Sequence, residues 1–246
     1  MFSFKFPVPP EITICETPED VADAAADLIF RDQSAAIEAR GVYRIAFSGG
    51  RTPKLLYERL ASEEWRVEMN WENWEVFWSD ERAVPPDHPD SNFRLAHDAL
   101  LRHVPIGNVW RMPGEVPGLK AAADDYARTL RMRFGLKLPD FDTVLLGVGA
   151  DGHTASLFPG HAALESAALV EAVEVPGKTP SRRLTLTLPV INHARGVVFL
   201  VVGSDKAETV RDIIEQRNSS LPASRVQPEE GECMWIFDEA AAHLIR

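Results

Sequence analysis

Cysteine is nearly absent from this 246-residue chain: only Cys15 and Cys233 occur, and they form neither a metal-type nor a redox-type pair. A disulfide-stapled fold is excluded, and the two thiols read as core residues in a reducing, cytoplasmic compartment. Long apolar runs are missing too. The longest clean one, Val197 to Val202, falls far short of the ~20 residues a membrane-spanning helix needs. The opening Met-Phe-Ser-Phe-Lys-Phe-Pro-Val-Pro-Pro lacks the basic start, apolar core and cleavage site of a secretory leader, so none is expected. Positive charge is scarce: 26 Lys and Arg against 37 Asp and Glu leave a net charge of −11, with no basic stripe. That balance disfavours a nucleic-acid partner, and any phosphate site must draw on a few local cations. There is no internal repeat and no low-complexity tract.

What is present is an ordinary globular composition in which β-branched or aromatic runs alternate with helical stretches. Strands are predicted at 12–15, 43–47, 75–78, 143–146, 184–187, 197–202 and 234–237. Helices are predicted at 18–40, 53–61, 92–101, 119–134, 205–216 and 239–245. Thr17, Pro18, Glu19 and Asp20 make a sound helix start, and Ala22, Ala25, Ala26, Ile29 and Ile37 give that helix an apolar stripe. The Pro/Gly-rich segments 105–118 and 176–180 read as surface loops. The alternation predicts one α/β domain over residues 1–246, a three-layer αβα sandwich around a mostly parallel sheet. In such a fold, ligands sit outside the carboxyl ends of the strands.

Four segments directly after predicted strands carry unusual residues. Ser48-Gly49-Gly50-Arg51-Thr52-Pro53 combines glycines, hydroxyls and a helix start, either a well-capped turn or an anion site. It lacks the Gly-Lys-Ser/Thr ending of a nucleotide P-loop. Ser79-Asp80-Glu81-Arg82 sets acids and a cation at a strand end, either a solvated loop or a site that stabilises negative charge. Asp90-Ser91-Asn92 follows as a helix cap.

Gly147-Val148-Gly149-Ala150-Asp151-Gly152-His153-Thr154 formally matches the dinucleotide fingerprint, with Glu171 or Glu174 as its acid. Pro159-Gly160, however, cuts the expected helix after barely two turns, and His153 crowds the pyrophosphate position. His153 fits better as a general base whose imidazole is oriented by Asp151. His88, His97, His103, His161, His193 and His243 have no comparable setting and none sits at metal-ligand spacing, so no metal is expected. Last, Gly203-Ser204-Asp205-Lys206 puts a lysine against a helix dipole, which an anion would offset. Arg183, or its neighbour Arg182, is a further candidate cation.

Together these segments resemble the 6-phosphogluconolactonase family in order and spacing from residue 47 to 207. The most specific block is the run from Gly147 through Thr154-Ala155-Ser156-Leu157-Phe158-Pro159; Arg183-Leu184-Thr185-Leu186-Thr187 also matches. The related glucosamine-6-phosphate deaminases are similar in fold and share Asp-Gly-His. They carry a glutamate where this chain has Phe158 and a tyrosine where it has Arg82.

The resemblance implies hydrolysis of 6-phospho-D-glucono-1,5-lactone without metal or organic cofactor, by a protein that is a monomer or weak homodimer. The expected catalytic set is His153 as base, Asp151 to orient it, Arg82 for the oxyanion and Asp80 to hold Arg82. Ser48, Gly49, Gly50, Arg51, Thr52, Asn92, Arg183 and Lys206 are expected to bind the substrate and its phosphate. The competing activity is sugar-phosphate isomerisation of the deaminase type.

Overall fold

The computed structural model describes residues 10–216 and 218–245. In chain order the elements begin β1 (Glu11–Cys15), α1 (Pro18–Arg40), β2 (Tyr43–Phe47), α2 (Arg51–Leu60), α3 (Glu63–Glu68) and β3 (Trp74–Trp78). Next come β4 (Asp80–Arg82), α4 (Asn92–Ala99), β5 (Asn108–Val109), α5 (Leu119–Phe134), β6 (Thr143–Leu146) and β7 (Val170–Glu174). The chain ends with β8 (Arg182–Leu186), α6 (Leu188–Asn192), β9 (Gly196–Val201), α7 (Ala207–Ile214), β10 (Glu232–Asp238) and α8 (Glu239–Ala242).

Seven strands form one parallel sheet in the order β1-β10-β9-β6-β2-β3-β5. Alternation of side chains across the pleat explains why helices cover both faces. From one face Trp74 donates its indole N–H to Gln33 of α1 (2.8 Å), while Phe77 on the other face packs against Phe134 of α5. Tyr43, Trp74, Trp78, Phe77 and Phe141 are fully buried in the core. At the start of α1 the Thr17 hydroxyl accepts from the Asp20 N–H (3.1 Å) and the Asp20 carboxylate accepts from the Thr17 N–H (3.0 Å). Such a reciprocal cap stabilises a helix by about 1 kcal/mol.

Three readings are corrected or narrowed here. The predicted strand 184–187 is not in the parallel sheet: β8 is the centre of a separate antiparallel sheet, β4-β8-β7. Of the two readings of Ser79–Arg82, the solvated loop is excluded, since Ser79, Asp80 and Glu81 are buried. Ser79 is where the chain changes sheets. Its N–H donates to Phe47 O of β2 (2.8 Å) and its carbonyl accepts from Leu186 N of β8 (2.8 Å). The segment 105–118, read as loop, also contributes the short edge strand β5.

Candidate functional site

β2 and β6 are adjacent parallel strands, so the glycine turns that follow them leave the sheet at the same edge. Gly50 caps α2, while Gly49 fits because it has no side chain: a Cβ there would overlap the Asn92 amide. Beside this turn lies a cleft of about 680 Å³. Its walls include Gly49, Gly50, Arg51, Thr52, Gly147, Val148 and, from the segment after β9, Gly203, Asp205 and Lys206. The Lys206 ammonium is paired with Asp205, and the Asp205 carboxyl is held below its ordinary range chiefly by that bond. The cleft thus contains two lysines (Lys54 and Lys206), an arginine, a hydroxyl and glycine backbone, the donor set an anion needs, with Glu19, Glu58 and Asp205 also on its walls.

Three of the expected binding residues are not part of that cleft. Ser48 is buried, with its backbone clasped by the Tyr57 hydroxyl, which accepts from Ser48 N (3.0 Å) and donates to Ser48 O (2.7 Å). Asn92 lies beneath the turn and spends its amide N–H donors on the carbonyl (2.9 Å) and carboxylate (3.1 Å) of Asp80. Arg183 belongs to the imidazole side. Of the two neighbouring arginines, Arg182 is exposed and Arg183 is buried.

The imidazole side is the turn after β6. His153 Nδ1 bonds Asp151 Oδ1, and the ring stacks on Phe158 with centroids 4.4 Å apart and planes 21° apart. Gly149 leaves the space in which the ring lies, since a Cβ there would collide with it. The His153 side chain keeps 25% of its surface exposed, so the ring stands at the rim and not in the core. Burial pushes the Asp151 carboxyl up, but hydrogen bonds from His153 and from Lys178 Nζ (2.9 Å) reverse this and hold it well below the usual carboxylate range. No helix opens at Gly152; the chain makes an isolated bridge between Thr154 and Leu157 instead. The dinucleotide fingerprint therefore lacks the helix that gives it its function.

Arg82 and Arg183 face one another in register across β4 and β8. Arg82 Nη1 donates to Asp90 O (2.8 Å), and its Nε is buried with no partner. Arg183 Nε donates to Pro180 O (3.0 Å), and its guanidinium lies 5.6 Å from the centroid of Phe158. Burial lowers the Arg183 pKa from its ordinary value. Asp80 does not hold Arg82 as expected. Its carboxylate accepts from Asn92 and from Ser156 Oγ (2.7 Å), which ties β4 to α4 and to the histidine turn.

Glu81 has a structural duty: it accepts from the N–H of Asn92 (2.7 Å) and Phe93 (2.8 Å) and from Ser91 Oγ (3.0 Å), capping α4. Burial raises its carboxyl pKa despite those bonds. Sequence reasoning missed Lys178, Ser156 and the stacking role of Phe158. Lys178 was hidden in a segment whose Pro/Gly content marks it only as loop.

Fold and site together define an open α/β protein with a histidine–aspartate pair and a donor-rich cleft at one edge of the sheet, and with two arginines facing one another across β4 and β8. The sequence model of the family described as Glucosamine-6-phosphate isomerases/6-phosphogluconolactonase matches residues 16–235. The 6-phosphogluconolactonase of Rattus norvegicus is 38% identical over 245 residues, covering 97% of this chain and 95% of that one. A Synechocystis protein of the same name is 43% identical over 218 residues, covering 86% and 88%. Among solved structures, the 6-phosphogluconolactonase from Trypanosoma cruzi matches with a TM-score of 0.86 at 31% identity, covering 98% of this chain and 99% of that one. The chain belongs to the glucosamine-6-phosphate isomerase/6-phosphogluconolactonase family.

Proposed function

We propose that the protein hydrolyses 6-phospho-D-glucono-1,5-lactone to 6-phosphogluconate, with His153 as general base. The observation that carries this reading is an imidazole whose Nδ1 is committed to Asp151, at the same sheet edge as the cleft. With the Nδ1 proton directed at the carboxylate, Nε2 is the acceptor. It takes a proton from water, whose oxygen forms a bond to the lactone C1. Charge collects on the carbonyl oxygen, where the Arg82 guanidinium stabilises it. The C1–ring oxygen bond then breaks, and the imidazolium returns its proton to that oxygen as it becomes a hydroxyl.

The phosphate is held by Gly49, Gly50, Arg51, Thr52 and Lys206, with Lys206 exchanging Asp205 for the ligand. Anchoring the remote phosphate positions the carbonyl for attack. The residues named suffice for this sequence without metal or cofactor. Phe158 stacks on His153 where the deaminases carry a carboxylate, which favours hydrolysis over isomerisation. No helix among the described residues is long and apolar enough to cross a membrane. The two free thiols suit a cytoplasmic protein, acting as one 1–246 domain and as a monomer or weak homodimer.

The test is lactone opening, generated in situ by glucose-6-phosphate dehydrogenase and corrected for spontaneous hydrolysis. Wild type is expected to exceed the background, and His153→Ala to lose at least ~10²-fold in kcat. An unchanged rate in His153→Ala would overturn the base assignment. Ammonia release from glucosamine 6-phosphate would overturn the hydrolytic reading.

A further inference from the structure

Lys178 stands in the turn between β7 and β8, outside the expected catalytic and binding sets. It meets the imidazole's supports at two points. Its Nζ donates to Asp151 Oδ2 at 2.9 Å, while His153 Nδ1 bonds the other oxygen, Oδ1. The same ammonium lies 5.5 Å from the centroid of Phe158, the ring on which His153 stacks. One carboxylate and one aromatic ring are thus each shared by the histidine and the lysine.

We propose that Lys178 is a positioning residue for the base: docked on the far oxygen of Asp151, it keeps the His153 imidazole oriented and in its proton-accepting form. The proposal rests on the hydrolytic reading above. A carboxylate bonded to an imidazole alone favours the imidazolium, which is a base already loaded with its proton. A second cation on that carboxylate offsets the attraction and adds like-charge repulsion against the imidazolium. The second bond also fixes the carboxylate rotamer, so that Oδ1 stays on Nδ1 and Nε2 faces outward.

The charged groups around the ring are Asp151 on its own turn, Lys178 from the β7–β8 turn, and Arg183 of β8 over Phe158. Arg82 of β4 lies opposite Arg183. Both arginines are common to wild type and variants, so a change on altering Lys178 reports on Lys178 itself.

The experiment compares wild type, Lys178→Met and Lys178→Arg by the pH profile of kcat/KM and by NMR titration of the His153 ring without substrate. Lys178 is 41% exposed, so the variants are expected to fold, which the same spectra check. In Lys178→Met the acid limb and the ring titration should both move up by roughly half to one pH unit, less at high salt. Activity near pH 6 should fall about three- to tenfold and recover near pH 8. Lys178→Arg should restore the wild-type profile.

An unmoved acid limb and ring titration overturn the proposal, as does a raised KM with the limb unchanged, which would mark a substrate contact instead. Failure of Lys178→Arg to rescue also overturns it. If the wild type does not open the lactone, the hydrolytic reading fails by itself, and the ring titration still decides whether Lys178 governs the imidazole.

Discussion

On the imidazole side of the rim, side chains hold side chains. Asp151 grips His153, Phe158 supports its ring, and Asp80 binds Asn92 and Ser156 in a buried network that joins β4, α4 and the histidine turn. On the cleft side the structure is more open: glycines, a threonine and three long cations, Arg51, Lys54 and Lys206, stand around about 680 Å³. On the proposed mechanism, the contrast follows from what each half must do. A base needs one fixed direction, which only mutually bonded groups provide. A charged tail needs donors that can change partners when it arrives: Lys206 is paired with the exposed Asp205 and Lys54 with the exposed Glu58, partners that a ligand can replace.

Substitutions that respect this division should separate cleanly. Arg82→Ala, on the fixed side, is expected to lower kcat by about 10²-fold with little change in KM, because one oxyanion donor is lost. Steady-state kinetics that put the loss in KM would move Arg82 to the binding half. Glu81→Ala removes the acceptor of three hydrogen bonds at the start of α4. Urea unfolding should show a loss of about 2–3 kcal/mol, and a loss below about 0.5 kcal/mol would mean the network is replaceable. Lys206→Ala should raise KM about tenfold and leave kcat within a few-fold, since it withdraws one charge-assisted contact to the phosphate.

The smallest effect is expected far from the rim. Burial pushes the Cys233 thiol up to about 11, so it stays protonated and alkylates slowly at pH 7–8, with the rate climbing as pH approaches that value. Rapid labelling at neutral pH would contradict this raised pKa. Cys233→Ala should leave turnover unchanged.

Legibility in the sequence tracks how local each feature is. β2, α5 and β6 match their predicted bounds because their signals are self-contained; α5, for one, runs between Gly118 and Gly135. β4 was invisible. Asp-Glu-Arg reads as a loop, and its burial depends on Asn92, Ser156 and the strand β8, all remote in the chain. The site divides in the same way. Asp151 and His153 are two residues apart, so their pairing could be read directly, whereas the bond from Lys178 spans 27 residues and exists only because the β7–β8 hairpin brings the lysine to that turn. The setting of Ser48 was not legible either: its sequence neighbours suit an anion site, while the Tyr57 hydroxyl that holds its backbone comes from the buried face of α2.

The division of labour is tested most directly by a double-mutant cycle on lactone hydrolysis with His153→Ala, Lys206→Ala and the pair together. Independent halves predict a kcat loss in the first, a KM rise in the second, and a combined loss in kcat/KM equal to their product within about twofold. A Lys206→Ala variant that loses kcat as severely as His153→Ala at unchanged KM, or a double variant no worse than either single one, would contradict it.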